Sequence, residues 1–115
     1  MGLKMSNEIC GSCIKIAACI CAKDGIISDA EEEAMYSLLV ERFPSISRTE
    51  FDSALDEFFG SNDQIEDYLD RIDDHEMRAF TLQLAKVSAG ADGLDIRENI
   101  ALEKARVIWG IDPND

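Results

Sequence analysis

The chain has 115 residues, 46% of them hydrophobic, and carries 24 Asp and Glu against 11 Lys and Arg, for a net charge of −13 and a pI of about 4.3. That length suits one domain with one core, and the hydrophobic content excludes wholesale disorder. So acidic a surface repels nucleic acid and anionic membranes and attracts metal cations and basic partners.

Only two prolines and seven glycines interrupt a sequence rich in Ala, Leu, Ile and Glu, which favours helix over strand. The spacing predicts helix 1 over about Ser6 to Lys23, where Ile9, Cys13, Ile16, Ala17 and Ile20 recur at helical intervals. Its other faces are also apolar, so it is expected to be central. All four cysteines, Cys10, Cys13, Cys19 and Cys21, lie in this helix. Cys10-x-x-Cys13 is one half of a zinc or redox pattern, but no second CxxC follows, and buried thiols are the expectation. Met1 to Asn7 lacks the apolar core of a cleaved signal, "CIKIAACIC" has no A-x-A site after it, and no run reaches the ~18 apolar residues of a membrane span. A cytoplasmic protein is expected.

Helix 2 is predicted over about Asp29 to Arg42, opened by the capping box Ser28-x-x-Glu31, with Ala34, Met35, Leu38 and Leu39 inward and Pro44 beyond its end. Helix 3 opens with Ser47-x-x-Glu50, carries Phe51, Ala54, Leu55, Phe58 and Phe59 at core spacing, and closes at Gly60. Adjacent Phe residues cannot both point the same way, so Phe58 and Phe59 are the best candidates for an exposed partner groove, with core packing the expectation for both. Helix 4 covers about Asn62 to Ile72. Helix 5 begins near Asp73-x-x-Glu76 and runs to about Ala89, with Met77, Phe80, Leu84 and Val87 as its inward stripe. Helix 6 starts at Asp95-x-x-Glu98 and ends at Gly110, with Ala101, Leu102, Ala105, Ile108 and Trp109 inward and Asn99, Glu103 and Arg106 outward. The expected fold is all-α: a single-domain bundle of about six helices over residues 1–115, in which helices 1–2 and 5–6 form two related helix–loop–helix units packed together.

The repeat lies in the loops of those units, "AKDGIISDAEE" and "AGADGLDIRE". Asp24 matches Asp92, Gly25 matches Gly93, Ser28 matches Asp95 and Glu31 matches Glu98, the second loop being one residue shorter. A carboxylate near a helix C-terminus opposes the helix dipole, by roughly 0.3–1 kcal/mol at an exposed site. Placing one there twice asks for a reason. Glycine permits the backbone that ends a helix and reverses the chain. The Asp then stands at the mouth of the turn, with the Glu of the next helix beside it. If the two units pack together, four acids converge, repel, and are relieved by a hard divalent cation with oxygen ligands. The candidate ligands are therefore Asp24, Glu31, Asp92 and Glu98. An EF-hand is a poor match. With Asp24 at loop position five, Gly25 and Glu31 fall correctly, but Ile20 and Ala22 occupy ligand positions one and three. The plain alternative is helix punctuation, in which Asp24 and Asp92 accept turn amides while Glu31 and Glu98 reach back to their caps.

These stretches, "AKDGIISDAEEEAMYSLL" and "SAGADGLDIRENIALEKARVIWGID", resemble the TerB family, the tellurite-resistance-associated helical domain. The family carries the same duplicated Asp-Gly turn near both ends. The resemblance implies a helical bundle with the two acidic turns close together. It further implies a non-enzymatic scaffold in tellurite or chemical stress response or phage defence, and a divalent cation such as Ca²⁺, Mg²⁺ or Mn²⁺ at the acidic cluster. Protein partners would include membrane-associated complexes, without direct membrane insertion and without nucleic acid. Two departures stand out: Lys23 sits where the family has a small residue, and the shorter second loop shifts Glu98 relative to Glu31.

Two other functions compete. An acidic nucleic-acid mimic needs a long unbroken negative face, whereas these acids are interleaved with Lys and Arg. An enzyme would need a recognisable constellation, yet there is one histidine, His75, and no GxSxG, HExxH or P-loop. An acidic protein-interaction module without metal is the remaining alternative.

Overall fold

The computed structural model describes the backbone of residues 2–22, 27–61, 65–92 and 96–111, and the side chains of residues 9–22, 27–61, 65–91, 96 and 99–111. Six α-helices follow one another: α1 (Gly2–Cys21), α2 (Asp29–Arg42), α3 (Arg48–Phe59), α4 (Ile65–Leu69), α5 (His75–Ala89) and α6 (Ile96–Trp109), with a 3₁₀ turn at Gly90–Asp92 extending α5. No strand occurs among the described residues. The expected all-α bundle is the observed fold, and its first and last helical pairs pack together through α1, α2, α5 and α6.

α1 is the axis. Cys13, Ile14, Ile16, Ala17, Ala18, Ile20 and Cys21 are all buried, leaving this stretch almost no solvent face. A helix apolar on every side is stable only when enclosed, and α1 packs against α3, α4, α5 and α6, with a lighter contact to α2. It begins at Gly2, before the predicted Ser6, and ends at Cys21.

α2 and α3 open as their sequences dictate. Ser28 and Ser47 sit in extended backbone, and each exchanges bonds with the Glu three residues on. Gly60 closes α3 in right-handed backbone (φ −85°), so the freedom of glycine is not used there. It is used at Gly110, where φ is +67° as α6 stops. Regular α4 is shorter than predicted, and residues 62–64 lie outside the described residues.

α5 starts one residue later than its Asp73-x-x-Glu76 pattern implied. Asp74 is the cap, its Oδ2 accepting from Met77 N–H at 3.0 Å. Glu76 then falls one position short of the site from which a Glu side chain reaches back to the cap amide. The buried face also differs from the predicted stripe. It consists of Met77, Thr81, Leu84, Ala85, Ser88 and Ala89, while Val87 is exposed and Phe80 half-buried. Thr81 Oγ1 donates to Met77 O at 2.6 Å and lies 3.1 Å from Cys13 Sγ; Ser88 Oγ donates to Leu84 O at 2.6 Å. Hydroxyls satisfied by the preceding turn can be buried, which displaces Val87 from the core.

α6 buries Ala101, Ala105 and Trp109, with Leu102 partly buried; Ile108, expected inward, is exposed. Two alanines one turn apart let the helix axis approach its neighbours, and Trp109 anchors its end. The indole Nε1 donates to Leu69 O at 3.1 Å, and the Arg78 guanidinium lies 5.5 Å from the ring centroid.

Candidate functional site

The direction of α2 decides where the acidic turns can stand. Phe43, at the end of α2, meets Phe80, in the first half of α5, with ring centroids 6.2 Å apart. α2 also packs along α5 and against the 3₁₀ turn beyond it. Only an antiparallel α2 satisfies both contacts. The start of α2, with Glu31, therefore lies at the same end of the bundle as Gly90–Asp92. The flanks of both Asp-Gly loops share one pole.

Of the four predicted ligands, Glu31 is the one whose side chain is described. It is 4% exposed, accepts from Ser28 N–H through Oε1 at 2.9 Å, and donates its own N–H to Ser28 Oγ at 3.1 Å. A buried carboxylate needs such partners, because desolvation without them is costly. Among the described residues, no buried side-chain nitrogen or oxygen lacks a partner. Glu31 is thus a helix cap with one oxygen committed. Asp24 and Gly25 lie outside the described residues, as do Gly93 and Asp95. Asp92 belongs to the 3₁₀ turn and Glu98 to the first turn of α6, but their side chains lie outside the described set. Among the described residues, no three His, Cys, Asp or Glu side chains gather as a metal-binding group. The one predicted ligand whose side chain is described, Glu31, already serves the fold.

The cysteine pair is buried. All four cysteines are thiols. Burial pushes Cys10 up to about 12, with Cys13 and Glu50 adding to the shift. Burial likewise pushes Cys13 up to about 11, opposed by its bond to Thr81 and by Arg42. Both are therefore held as thiols at neutral pH. His75 is exposed at the start of α5.

Two surface features follow from the packing of α6 and α3. The outer face of α6 exposes Ile96 (74%), Ile100 (62%) and Val107 (65%). Their spacing of four and seven keeps them on one stripe, opposite Ala101 and Ala105, and that spacing was available as a signal. The second is a groove of about 390 Å³ between the start of α2 and α3, lined by Ile27, Leu55 and Phe59 and by Glu32, Asp52 and Asp56. Phe59 was expected in the core; it is 54% exposed because Phe58 takes the inward position, packing against Tyr68 at 6.4 Å between centroids. No helix among the described residues is long and apolar enough to cross a membrane.

No protein-family model, no curated protein sequence and no solved structure matches this chain.

Proposed function

We propose that this chain is a non-enzymatic, TerB-like binding module that takes a divalent cation between its paired Asp-Gly turns and docks a protein partner in a stress-response assembly. The supporting observation is the antiparallel packing of α2 on α5 and its 3₁₀ turn, which sets the flanks of both acidic loops at one pole. Asp24, Asp92 and Glu98 would supply oxygens to the ion, with Glu31 contributing the oxygen its cap leaves over. Bound there, the cation would cancel the repulsion of converging carboxylates and fix one loop relative to the other. The test is calorimetric titration with Ca²⁺, Mg²⁺, Mn²⁺ and Zn²⁺. Saturable binding that disappears in Asp24→Ala plus Asp92→Ala supports the reading. Wild-type heats no greater than those of the Asp24→Ala plus Asp92→Ala protein remove it.

A second reading, an acidic protein-interaction module without metal, is favoured by two observations. Glu31 is engaged as a cap. α6 is apolar outside as well as inside, with Ile96, Ile100 and Val107 in solvent, and a helix apolar on both faces is normally covered.

A further inference from the structure

The groove between α2 and α3 combines features that singly would mean little. Its lining joins apolar side chains, among them an aromatic ring more than half in solvent, to three carboxylates. The cation ion-paired to those carboxylates among the described residues is Arg48, 3.3 Å from Asp52, and it is shared with Glu33 at 2.9 Å while lying over the Tyr36 and Phe51 rings. Glu32 is raised from its ordinary value chiefly by partial burial, opposed by Arg48 and reinforced by Asp52, Asp29 and Glu33. α3 ends at this groove, and its last turn, which contains Asp56 and Phe59, carries no basic residue. The cation that reaches this turn comes from α1: Lys15 Nζ lies 2.9 Å from Glu57 Oε1, a pair in which none of the groove's three carboxylates takes part. Shape, apolar lining and field all ask for one kind of guest.

We propose that this groove docks a basic amphipathic segment of a partner protein, one apolar side chain resting on Leu55 and Phe59 while flanking lysines or arginines meet Glu32, Asp52 and Asp56. The proposal rests on the protein-interaction reading and supplies its partner chemistry. A second copy of the chain is a poor guest, since each copy carries a charge of −13. A small polyamine satisfies the carboxylates and leaves the apolar lining wet. An apolar peptide without charge leaves the carboxylates unneutralised. Only a guest with both properties uses both parts of the groove, the arrangement in which a buried apolar anchor gives affinity and surrounding charge gives orientation and rate.

The experiment uses the whole chain and three fluorescently labelled helical peptides of equal length: one of alternating Leu and Lys faces, one with its Leu replaced by Ser, and one with its Lys replaced by Glu. Anisotropy titration should show the Leu–Lys peptide binding, and the other two binding at least about tenfold more weakly. Phe59→Ser and, separately, Asp52→Asn with Asp56→Asn should each weaken the Leu–Lys peptide by about tenfold. Asp70→Asn with Glu76→Gln, which removes the same charge elsewhere, should leave binding within about twofold. Circular dichroism checks that each variant keeps its helix content. Equal loss in both charge-removal pairs would mean diffuse attraction and overturn the proposal. So would competition by spermine at the level of the Leu–Lys peptide, or a dimer that Phe59→Ser dissolves in a protein that binds no peptide. Loss of peptide binding on changing Ile100 and Val107 instead of the groove would also overturn it while keeping the interaction reading, moving the docking face to α6.

Discussion

Ser28 and Glu31 hold each other across the first turn of α2: the Ser28 amide donates to Glu31 Oε1 at 2.9 Å and the Glu31 amide to Ser28 Oγ at 3.1 Å. The exchange satisfies two of the amides a helix start leaves open. It also binds the proposed metal ligand Glu31 to a purely structural task. Ser28→Ala should lower unfolding free energy by about 1 kcal/mol, read from urea denaturation. If Glu31 also serves a cation, added divalent metal should raise the midpoint of the wild type, and that gain should shrink in Glu31→Gln. A midpoint that does not respond to metal in either protein assigns Glu31 to the cap alone.

The cysteine pair gives a pH prediction. Burial raises Cys10 to about 12 and Cys13 to about 11, above the 9.0 of an ordinary thiol. The folded state therefore holds its protons longer than the unfolded state does. The stabilisation is fully present below pH 9 and is lost as pH rises from there through the folded values. Unfolding midpoints should fall over that alkaline range, less steeply in Cys10→Ala with Cys13→Ala. At neutral pH, both thiols should react with a disulfide reagent far more slowly in the native protein than in urea.

Trp109 closes the bundle where α6 meets α4 and α5. Its indole donates to Leu69 O at 3.1 Å, and Arg78, itself bonded to Ile72 O at 2.6 Å, lies over its ring. Trp109→Phe keeps an aromatic body and loses the donor, leaving the Leu69 carbonyl with the longer bond from Ile72 N–H at 3.3 Å. It should cost about 1–2 kcal/mol. Trp109→Ala should cost about 3–5 kcal/mol, because a cavity is added. Thermal unfolding by calorimetry separates the two. Equal losses would mean that the hydrogen bond, not packing, carries the site.

Helix existence was legible where periodicity and capping boxes agreed. α2 opens at Ser28 and α3 at Ser47 as read, because a Ser and a Glu three residues apart encode both halves of one interaction. Which face turns inward was less legible on α5 and α6. Thr81 and Ser88 look polar in the sequence but are buried by bonding carbonyls of their own helix, and the paired alanines of α6 win the core because they are small enough for close approach. An exposed Ile96 or Val107 is then a consequence of tertiary packing that hydrophobicity alone cannot assign. The acidic turns were legible as a repeat, and the shared pole of their flanks agrees with it. Glu31's engagement was the alternative weighed from the capping box itself. That one of the adjacent Phe58 and Phe59 rings must face outward was legible, but the carboxylates beside Phe59 were not, since they need α2 and α3 brought together from separate stretches of sequence.

The outer face of α6 offers the sharpest contrast between stability and surface. Ile100 and Val107 lie mostly in solvent, opposite the buried Ala101 and Ala105. Substituting both with Ser removes apolar area that folding does not bury, so unfolding free energy should stay within about 0.5 kcal/mol per site. Leu84, fully enclosed between helices, should lose about 2–5 kcal/mol as Leu84→Ala. The same Ile100→Ser and Val107→Ser protein should bind less of a hydrophobic dye than the wild type does, because the exposed stripe is the dye's site rather than a loosened core. Destabilisation approaching that of Leu84→Ala would show that the stripe is packed in solution, and unchanged dye binding would show that the stripe is not the sticky surface.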